Sequence, residues 1–262
     1  MKQRILTAVI AAAVFLPIVI FGGLPFIVLV YVLASVGLYE LLKMKKLSIF
    51  SVPGILSLLL LWIFLLPEQY SDILANLQYT KVEAALLAVL LFLTYTVATK
   101  NRFTFEDAAF SILATLYVGM GFYYFIETRE ASLLFVFYSL FIIWATDSGA
   151  YFIGKATGKT KLWPEISPNK TVEGFFGGIV SALAVAILFI LFSDIEASFL
   201  TLALATAFLS VFGQIGDLVE SALKRHYHVK DSGNILPGHG GILDRFDSLL
   251  FVWPLMHFFH LL

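Results

Sequence analysis

The chain consists mostly of apolar runs about as long as a bilayer crossing, separated by short polar connections. Nine such runs occupy residues 5–22, 24–42, 48–66, 82–99, 107–125, 131–153, 172–193, 197–219 and 243–262. A helix needs about 20 mostly apolar residues to cross the hydrocarbon core. Of the 262 residues 60% are hydrophobic and only 13% are charged, which leaves no room for a separate soluble domain. The sequence therefore predicts an all-α, polytopic membrane protein with about nine transmembrane helices.

Composition excludes several other classes. The first run, residues 5–23, is long for a signal-peptide core and lacks a clear cleavage site, so we expect a retained first helix. The chain has no cysteine, which excludes disulfides, thiolate metal sites and a cysteine nucleophile. A formal net charge of -1 gives no global basic field that would favour a nucleic acid partner.

The basic residues separate to one side of a nine-span topology. Of the 17 lysines and arginines, only Lys81 and Arg129 fall on the other side. Positively charged connections stay in the cytoplasm, so we expect a cytoplasmic amino terminus. The opposite connections carry acids that agree with an outward face: Glu68, Asp72, Glu127, Glu130, Asp194 and Glu196.

The two halves of the chain differ in chemical content. We expect residues 1–130 to form a transmembrane scaffold of about five helices, with charge confined to the loops. Residues 131–262 are predicted to form a catalytic region of about four helices with cytoplasmic loops at 154–170 and 220–242. Polar residues gather at the cytoplasmic ends of these last four helices.

Asp147 lies in the sequence WATDSGAY, close to the inner end of the sixth predicted span. A carboxylate inside a membrane helix costs at least about 2.5 kcal/mol unless it is paired, so Asp147 is a candidate functional residue. A cytoplasmic cap or an interhelical hydrogen bond is the alternative, because nearby glycines also suit close helix packing.

The sequence SPNKTVEG precedes the seventh predicted span. Ser167 is predicted as its N-cap and Pro168 as its first helical residue. Free backbone N–H groups beside Lys170 would then form an anion site. Ordinary capping explains Ser167 and Pro168 equally well. It does not explain the combination of Lys170, Glu173 and the paired Gly177 and Gly178.

The segment 216–247 is the densest in polar residues. Asp217, Ser221, Lys224 and His228 recur at helical spacing and should share one helix face. A turn at 237–241 follows, PGHGG, in which glycines let backbone N–H groups approach a ligand.

The ninth predicted span begins with Asp244 and Asp247, one turn apart. Carboxylates without sulfur ligands suit Mg²⁺, which is usually held by one or two carboxylates plus substrate phosphates. The neighbouring cations would neutralise a polyphosphate. Together these residues indicate phosphoryl or nucleotidyl transfer onto a lipid.

The stretch 221–247, SALKRHYHVKDSGNILPGHGGILDRFD, resembles the signature of the phosphatidate cytidylyltransferases, also called CDP-diacylglycerol synthases. The resemblance extends to SPNKTVEG and WATDSGAY, and it covers the front half only in hydropathy. It implies transfer of CMP from CTP to phosphatidate in phospholipid biosynthesis, giving CDP-diacylglycerol and pyrophosphate. It further implies Mg²⁺ dependence, a cytoplasmic active site in a bacterial inner membrane, and a homodimer.

The resemblance also implies roles for individual residues. It places the metal on Asp217 and Asp244, with Asp147 and Asp247 as nearby acids. The further catalytic candidates are Lys224, Arg225, Lys230, Asp231, His239, Arg245 and Asp247. The candidates for binding CTP or lipid are Ser167, Lys170, Asp147, Ser221, Gly240 and Gly241.

Other classes fit the sequence less well. An ion-coupled transporter would place ionisable groups near the bilayer midplane, often in two related halves. A scaffold protein would not need such a concentration of acids and bases. A CDP-alcohol phosphotransferase would need a DGxxAR motif, which the sequence lacks.

Overall fold

Helices make up 78% of the computed structural model, which describes residues 2–70, 74, 76, 78–193, 195 and 198–259. Three of the predicted outward acids, Asp72, Asp194 and Glu196, lie outside the described residues. The start of the eighth predicted span at 197 and the end of the ninth at 260–262 lie outside them as well. The predicted all-α class is confirmed.

The described residues contain nine α-helices, one at each predicted position. They are α1 (Lys2–Phe21), α2 (Gly23–Met44), α3 (Val52–Phe64), α4 (Lys81–Ala98), α5 (Phe105–Ala131), α6 (Leu133–Thr157), α7 (Val172–Phe192), α8 (Phe199–His226) and α9 (Leu243–Phe258). A short 3₁₀ turn, Glu68–Tyr70, follows α3. Two antiparallel strands, β1 (Lys161–Trp163) and β2 (Ser167–Thr171), lie between α6 and α7.

Six of these helices are long and apolar enough to cross a membrane: α2, α4, α5, α6, α7 and α8. The apolar part of α1, Ile5–Phe21, and α3 are shorter. The 13 residues of α3 span about 20 Å, against a hydrocarbon core of about 30 Å. Length and composition of the described helices therefore support six crossings, fewer than the nine predicted.

The start of α7 differs from the prediction. Ser167 lies in β2, opposite Trp163 of β1, so it is not the N-cap and Pro168 is not the first helical residue. Thr171 caps α7 instead, and its Oγ accepts a hydrogen bond from the Gly174 N–H at 3.1 Å. Proline is tolerated in β2 because an edge strand leaves some N–H positions unpaired.

The end of α8 also corrects the prediction. The helix runs beyond the apolar residues to His226, as expected. His228 lies beyond it with a φ of 55°, and its N–H donates to the Arg225 carbonyl at 3.1 Å. The Val229 N–H donates to the Lys224 carbonyl at 2.9 Å, which completes a Schellman motif. His228 therefore does not share the helix face of Asp217.

The chain divides into two compact units. The first comprises Met1–Glu130 and Asp231–Asp244, and the second comprises Ala131–Lys230 and Arg245–Leu262. The segment 231–244, which contains the glycine-rich turn, thus groups with the amino-terminal helices.

In the first unit, the break between α1 and α2 is held by a distant arginine. Gly22 has a φ of 72°, a conformation that glycine adopts at little cost. The Arg129 guanidinium donates to the carbonyls of Val19 at 2.6 Å and Ile20 at 2.8 Å. It thereby satisfies acceptors at the end of α1 that have no partner within that helix.

In the second unit, α6 and α7 approach closely because both carry glycines at their contact. A Cβ built on Gly149 would lie 2.6 Å from Ser181 Cβ and 2.8 Å from the Gly177 carbonyl oxygen. A Cβ on Gly174 would lie 2.7 Å from the Ala150 carbonyl oxygen. Small residues at such contacts let membrane helices pack backbone to backbone.

Hydroxyl groups link the helices of the second unit. Tyr138 bonds to Thr206 at 2.6 Å, and Thr146 bonds to Ser210 at 2.9 Å. These buried bonds connect α6 with α8. The Trp253 indole N–H of α9 donates to Ser139 Oγ of α6 at 3.0 Å.

Gly149→Ala should lower the midpoint of thermal unfolding in detergent, because the added methyl group would overlap Ser181 and the Gly177 carbonyl. Overpacking of this kind costs about 1–3 kcal/mol. Intrinsic tryptophan fluorescence during heating measures the effect. Ala156→Leu is the control, because Ala156 lies exposed on the same helix, where substitutions usually change stability by less than about 0.5 kcal/mol. Equal midpoints for the two variants would contradict the packing argument.

Candidate active site

A cavity of about 560 Å³ lies in the second unit, among α6, the two strands, α7 and α8. Its volume falls in the range of small-molecule sites. It is lined by Asp147, Ala150, Tyr151, Gly154, Lys155, Gly158, Lys161, Leu162, Asn169, Lys170, Thr171, Gly174, Phe175, Gln214 and Asp217. The structure thus brings three predicted site residues, Asp147, Lys170 and Asp217, into one cavity.

An ion pair joins two of these residues. The Lys170 ammonium of β2 lies 2.7 Å from Asp217 Oδ2 of α8. Ser221, one turn further along α8, donates its hydroxyl to Asp217 Oδ1 at 3.3 Å. The side chains of Lys170 and Asp217 remain 25% and 33% exposed, so a ligand can reach both.

Further acids surround Asp217. Asp147 and Asp247 both interact electrostatically with it. Glu220 interacts with Asp247 and is fully buried, with its Oε2 2.6 Å from the Lys224 ammonium. Among the described residues, no group of three or more His, Cys, Asp or Glu converges as a complete set of metal ligands.

The cations offset this negative charge. Lys155, Lys161 and Lys170 all line the cavity, and Arg245 of α9 interacts electrostatically with Asp147. Lys155 and Lys161 were not among the predicted site residues, because their role depends on where the strands place them.

The N-terminus of α7 also faces this cavity, since Thr171 and Gly174 belong to its lining. The positive end of a helix dipole favours anions. The Glu173 carboxylate accepts hydrogen bonds from the Thr160 N–H at 3.2 and 3.3 Å, which ties the start of α7 to the strand region. The cap of this helix is Thr171 and not Ser167, and the anion site expected at its N-terminus stays a prediction.

The glycine-rich turn and Asp244 lie in the first unit. Asp244 Oδ2 accepts hydrogen bonds from the Ser232 N–H, the Ser232 hydroxyl and the Gly241 N–H, each at 2.8 Å. Gly240 has a φ of 81°, and a Cβ built there would collide with Asp244 Oδ2. The glycines thus make room for a carboxylate of the chain itself, and their predicted contact with a ligand stays a prediction.

Glu40 of α2 is a polar residue that the sequence interpretation missed. It is 1% exposed, and its carboxylate accepts hydrogen bonds from the N–H groups of Ile242 at 2.9 Å and Leu243 at 3.0 Å. The expectation that charge in residues 1–130 is confined to loops is therefore wrong. The available signal was a single acid inside an apolar run, which is costly in a membrane unless it is paired.

Four other predicted site residues, Arg225, Lys230, Asp231 and His239, do not line the cavity. Arg225 donates to the Ile166 carbonyl at 3.3 Å, while Lys230 and Asp231 are exposed. The His239 N–H donates to the Leu236 carbonyl at 2.8 Å. The imidazole Nδ1 of His239 is buried and has no hydrogen-bond partner within the part of the chain that the structure describes.

Residues 2–262 match the model of the cytidylyltransferase family. The chain belongs to the cytidylyltransferase family. The phosphatidate cytidylyltransferase of Bacillus subtilis (strain 168) is 63% identical over 261 residues, which cover 98% of this chain and 97% of that protein. The phosphatidate cytidylyltransferases of Staphylococcus haemolyticus (strain JCSC1435) and Staphylococcus aureus (strain COL) are each 50% identical over 257 residues, 98% of both chains.

The match confirms the resemblance carried by residues 221–247 and extends it over the whole chain. Family membership supports a nucleotidyltransferase that uses CTP. Together with six helices that can cross a membrane, it makes this cytidylyltransferase a membrane protein.

Lys170→Gln should weaken CTP binding, because the cavity would lose the ammonium that lies nearest to Asp217. A hydrogen bond to a charged group contributes about 1.5–3 kcal/mol, so the Kd should rise about 10-fold or more. Equilibrium binding of CTP to the detergent-solubilised protein measures the change. Lys159→Gln is the control, since Lys159 is exposed and does not line the cavity. Similar Kd values for both variants would show that Lys170 does not contribute to CTP binding.

Proposed function

We propose that this chain is a phosphatidate cytidylyltransferase, which transfers CMP from CTP to phosphatidate and releases pyrophosphate. The observation that carries the proposal is the cavity in which the Lys170–Asp217 ion pair meets the N-terminus of α7. Relatives that are named for this activity and match nearly the full chain support it.

The proposed reaction needs charge neutralisation more than proton transfer. The nucleophile is a phosphate oxygen of phosphatidate, and a phosphate monoester loses its second proton at a pKa of about 6. That oxygen is already anionic near neutral pH, so no strong general base is required. The obstacle is repulsion between two anions, which positively charged groups at fixed positions can offset.

The residues of the cavity suit this task. Lys155, Lys161 and Lys170 would hold the CTP phosphates together with the N-terminal end of α7. Lys170 would exchange part of its contact with Asp217 for a phosphate oxygen. The departing pyrophosphate would then leave from a site that already holds positive charge.

Magnesium is part of the proposal. The donor set around Asp217 fits Mg²⁺, because it offers carboxylate oxygens in small number and leaves positions for water and phosphate. When bound, the ion would neutralise phosphate charge as a Lewis acid. Asp217 is the proposed ligand in the second unit. That Asp244 shares the same ion stays a prediction from sequence.

The location of the enzyme is also a proposal. The distribution of basic residues supports a cytoplasmic amino terminus and a cytoplasmic active site in a bacterial inner membrane. Nine crossings would require the shorter helices α1, α3 and α9 to span as well. The homodimer stays a prediction.

A direct assay tests the activity. Purified protein in mixed micelles should release pyrophosphate from CTP only when phosphatidate and Mg²⁺ are both present. Asp217→Asn and Asp244→Asn should each lower turnover at least about 100-fold, since a metal ligand contributes several kcal/mol to stabilising the transition state. Glu165→Gln is the control, because Glu165 is exposed and does not line the cavity. Near-normal turnover by either Asn variant across a Mg²⁺ titration would refute its metal role.

Cysteine labelling tests the topology, because the natural chain contains no cysteine. Lys159→Cys and Asn234→Cys should resist an impermeant thiol reagent in intact cells and react after the cells are opened. Tyr79→Cys should react in intact cells, since Tyr79 is 59% exposed and lies between α3 and α4, on the predicted outward side. The reverse labelling pattern would invert the topology.

A further inference from the structure

Glu40 is buried in α2, yet its carboxylate is bound to a segment about 200 residues later in the chain. It is 1% exposed. The Ile242 and Leu243 N–H groups donate to its two oxygens, at 2.9 Å to Oε1 and 3.0 Å to Oε2. Those N–H groups stand at the start of α9, where no partner within the helix is available. Glu40 thus caps α9 from another helix and lies at its positive end.

Ser232 connects Glu40 to Asp244. Its hydroxyl lies 3.0 Å from Glu40 Oε2 and 2.8 Å from Asp244 Oδ2. A hydroxyl has one proton, so it can donate to only one of the two carboxylates at a time. Asp244 also accepts from two backbone N–H groups, those of Ser232 and Gly241, which orient its carboxylate in either case.

The backbone of the segment 231–244 passes close to the Glu40 and Asp244 carboxylates at its glycines. A Cβ built on Gly233 or on Gly241 would collide with Glu40 Oε1. A Cβ built on Gly240 would collide with Asp244 Oδ2. The spacing of glycines in this segment therefore matches the positions where the backbone passes the Glu40 and Asp244 side chains.

We propose that Glu40 is a positioning residue for Asp244. Its hydrogen bonds with Ile242, Leu243 and Ser232 hold the segment 231–244 in the conformation that orients the Asp244 carboxylate. The inference rests on the proposed function, in which Asp244 is predicted to bind the catalytic Mg²⁺. Groups that orient a metal ligand typically change metal affinity or activity about 10- to 100-fold when they are replaced.

The first test uses the protein without nucleotide, lipid or metal. Glu40→Gln keeps the size of the side chain but turns an acceptor oxygen into an NH₂ group that faces N–H donors. Hydrogen–deuterium exchange in detergent should become about 10-fold faster for the amides of Ile242 and Leu243, because these amides lose their hydrogen bonds to a charged carboxylate. Leu38→Ala is the matched control. Leu38 is fully buried in the same helix, so its truncation should lower overall stability without selectively exposing this segment.

The second test uses turnover. The Mg²⁺ concentration for half-maximal pyrophosphate release should rise about 10- to 100-fold in Glu40→Gln, and kcat should fall, with the KM for phosphatidate unchanged. Leu38→Ala should keep the Mg²⁺ dependence of the wild type. If Glu40 only stabilised the fold, Glu40→Gln and Leu38→Ala would both shift the unfolding midpoint. Both variants would then keep the Mg²⁺ dependence of the wild type.

Ser232→Ala keeps the inference testable if Glu40→Gln does not accumulate in the membrane. It removes the bridge to Asp244 and leaves the bonds from Ile242 and Leu243 to Glu40 in place, so Mg²⁺ dependence should shift while exchange at residues 242–243 stays slow. Wild-type Mg²⁺ dependence and kcat in both variants would overturn the positioning role. If the wild type itself releases no pyrophosphate, the proposed function is wrong. Unchanged hydrogen–deuterium exchange in Glu40→Gln would show, independently of the activity, that Glu40 does not anchor the segment 231–244.

Discussion

A charged side chain inside an apolar helix bundle needs a hydrogen-bonding or charged partner, because lipid cannot solvate it. This constraint determines much of the polar structure. Glu220 is buried against the Lys224 ammonium, and Asp217 holds Lys170 of β2. Glu40 accepts backbone N–H groups at the start of α9. Glu220 and Lys224 lie one turn apart in α8, whereas the pairings of Asp217 and Glu40 each hold a strand or a helix end against another element.

Glycine makes this arrangement sterically possible. Between α6 and α7, the glycines at 149, 174 and 177 remove side chains where the two helices would otherwise collide. The cavity lies at the end of that contact, where β2 carries Lys170 between the helices. In the segment 231–244, glycines remove side chains beside carboxylates. Close approach therefore serves helix packing in one unit and the placement of acids in the other.

Sequence reasoning succeeded where a local pattern decides the outcome. Apolar runs located the nine helices of the described residues, and the polar end of α8 was predicted as helix and confirmed to His226. It failed at Ser167 and His228, where the local sequence fits two different backbone structures. A serine followed by a proline is a good helix start, but pairing with β1 makes the same residues a strand. His228 continues the helical spacing, but a Schellman motif ends the helix two residues earlier.

The sequence by itself determined the helical membrane class, the family and the short list of acids and bases in residues 147–247, because hydropathy, charge and motif spacing are properties of neighbouring residues. Only the tertiary structure decided which of them meet. It joined Lys170 to Asp217, added Lys155 and Lys161 to the cavity, and brought Glu40 to residues 232–243. The physical reason is that hydrogen bonds and ion pairs form between residues that are close in space, and a separation of about 200 residues along the chain leaves no local pattern to read.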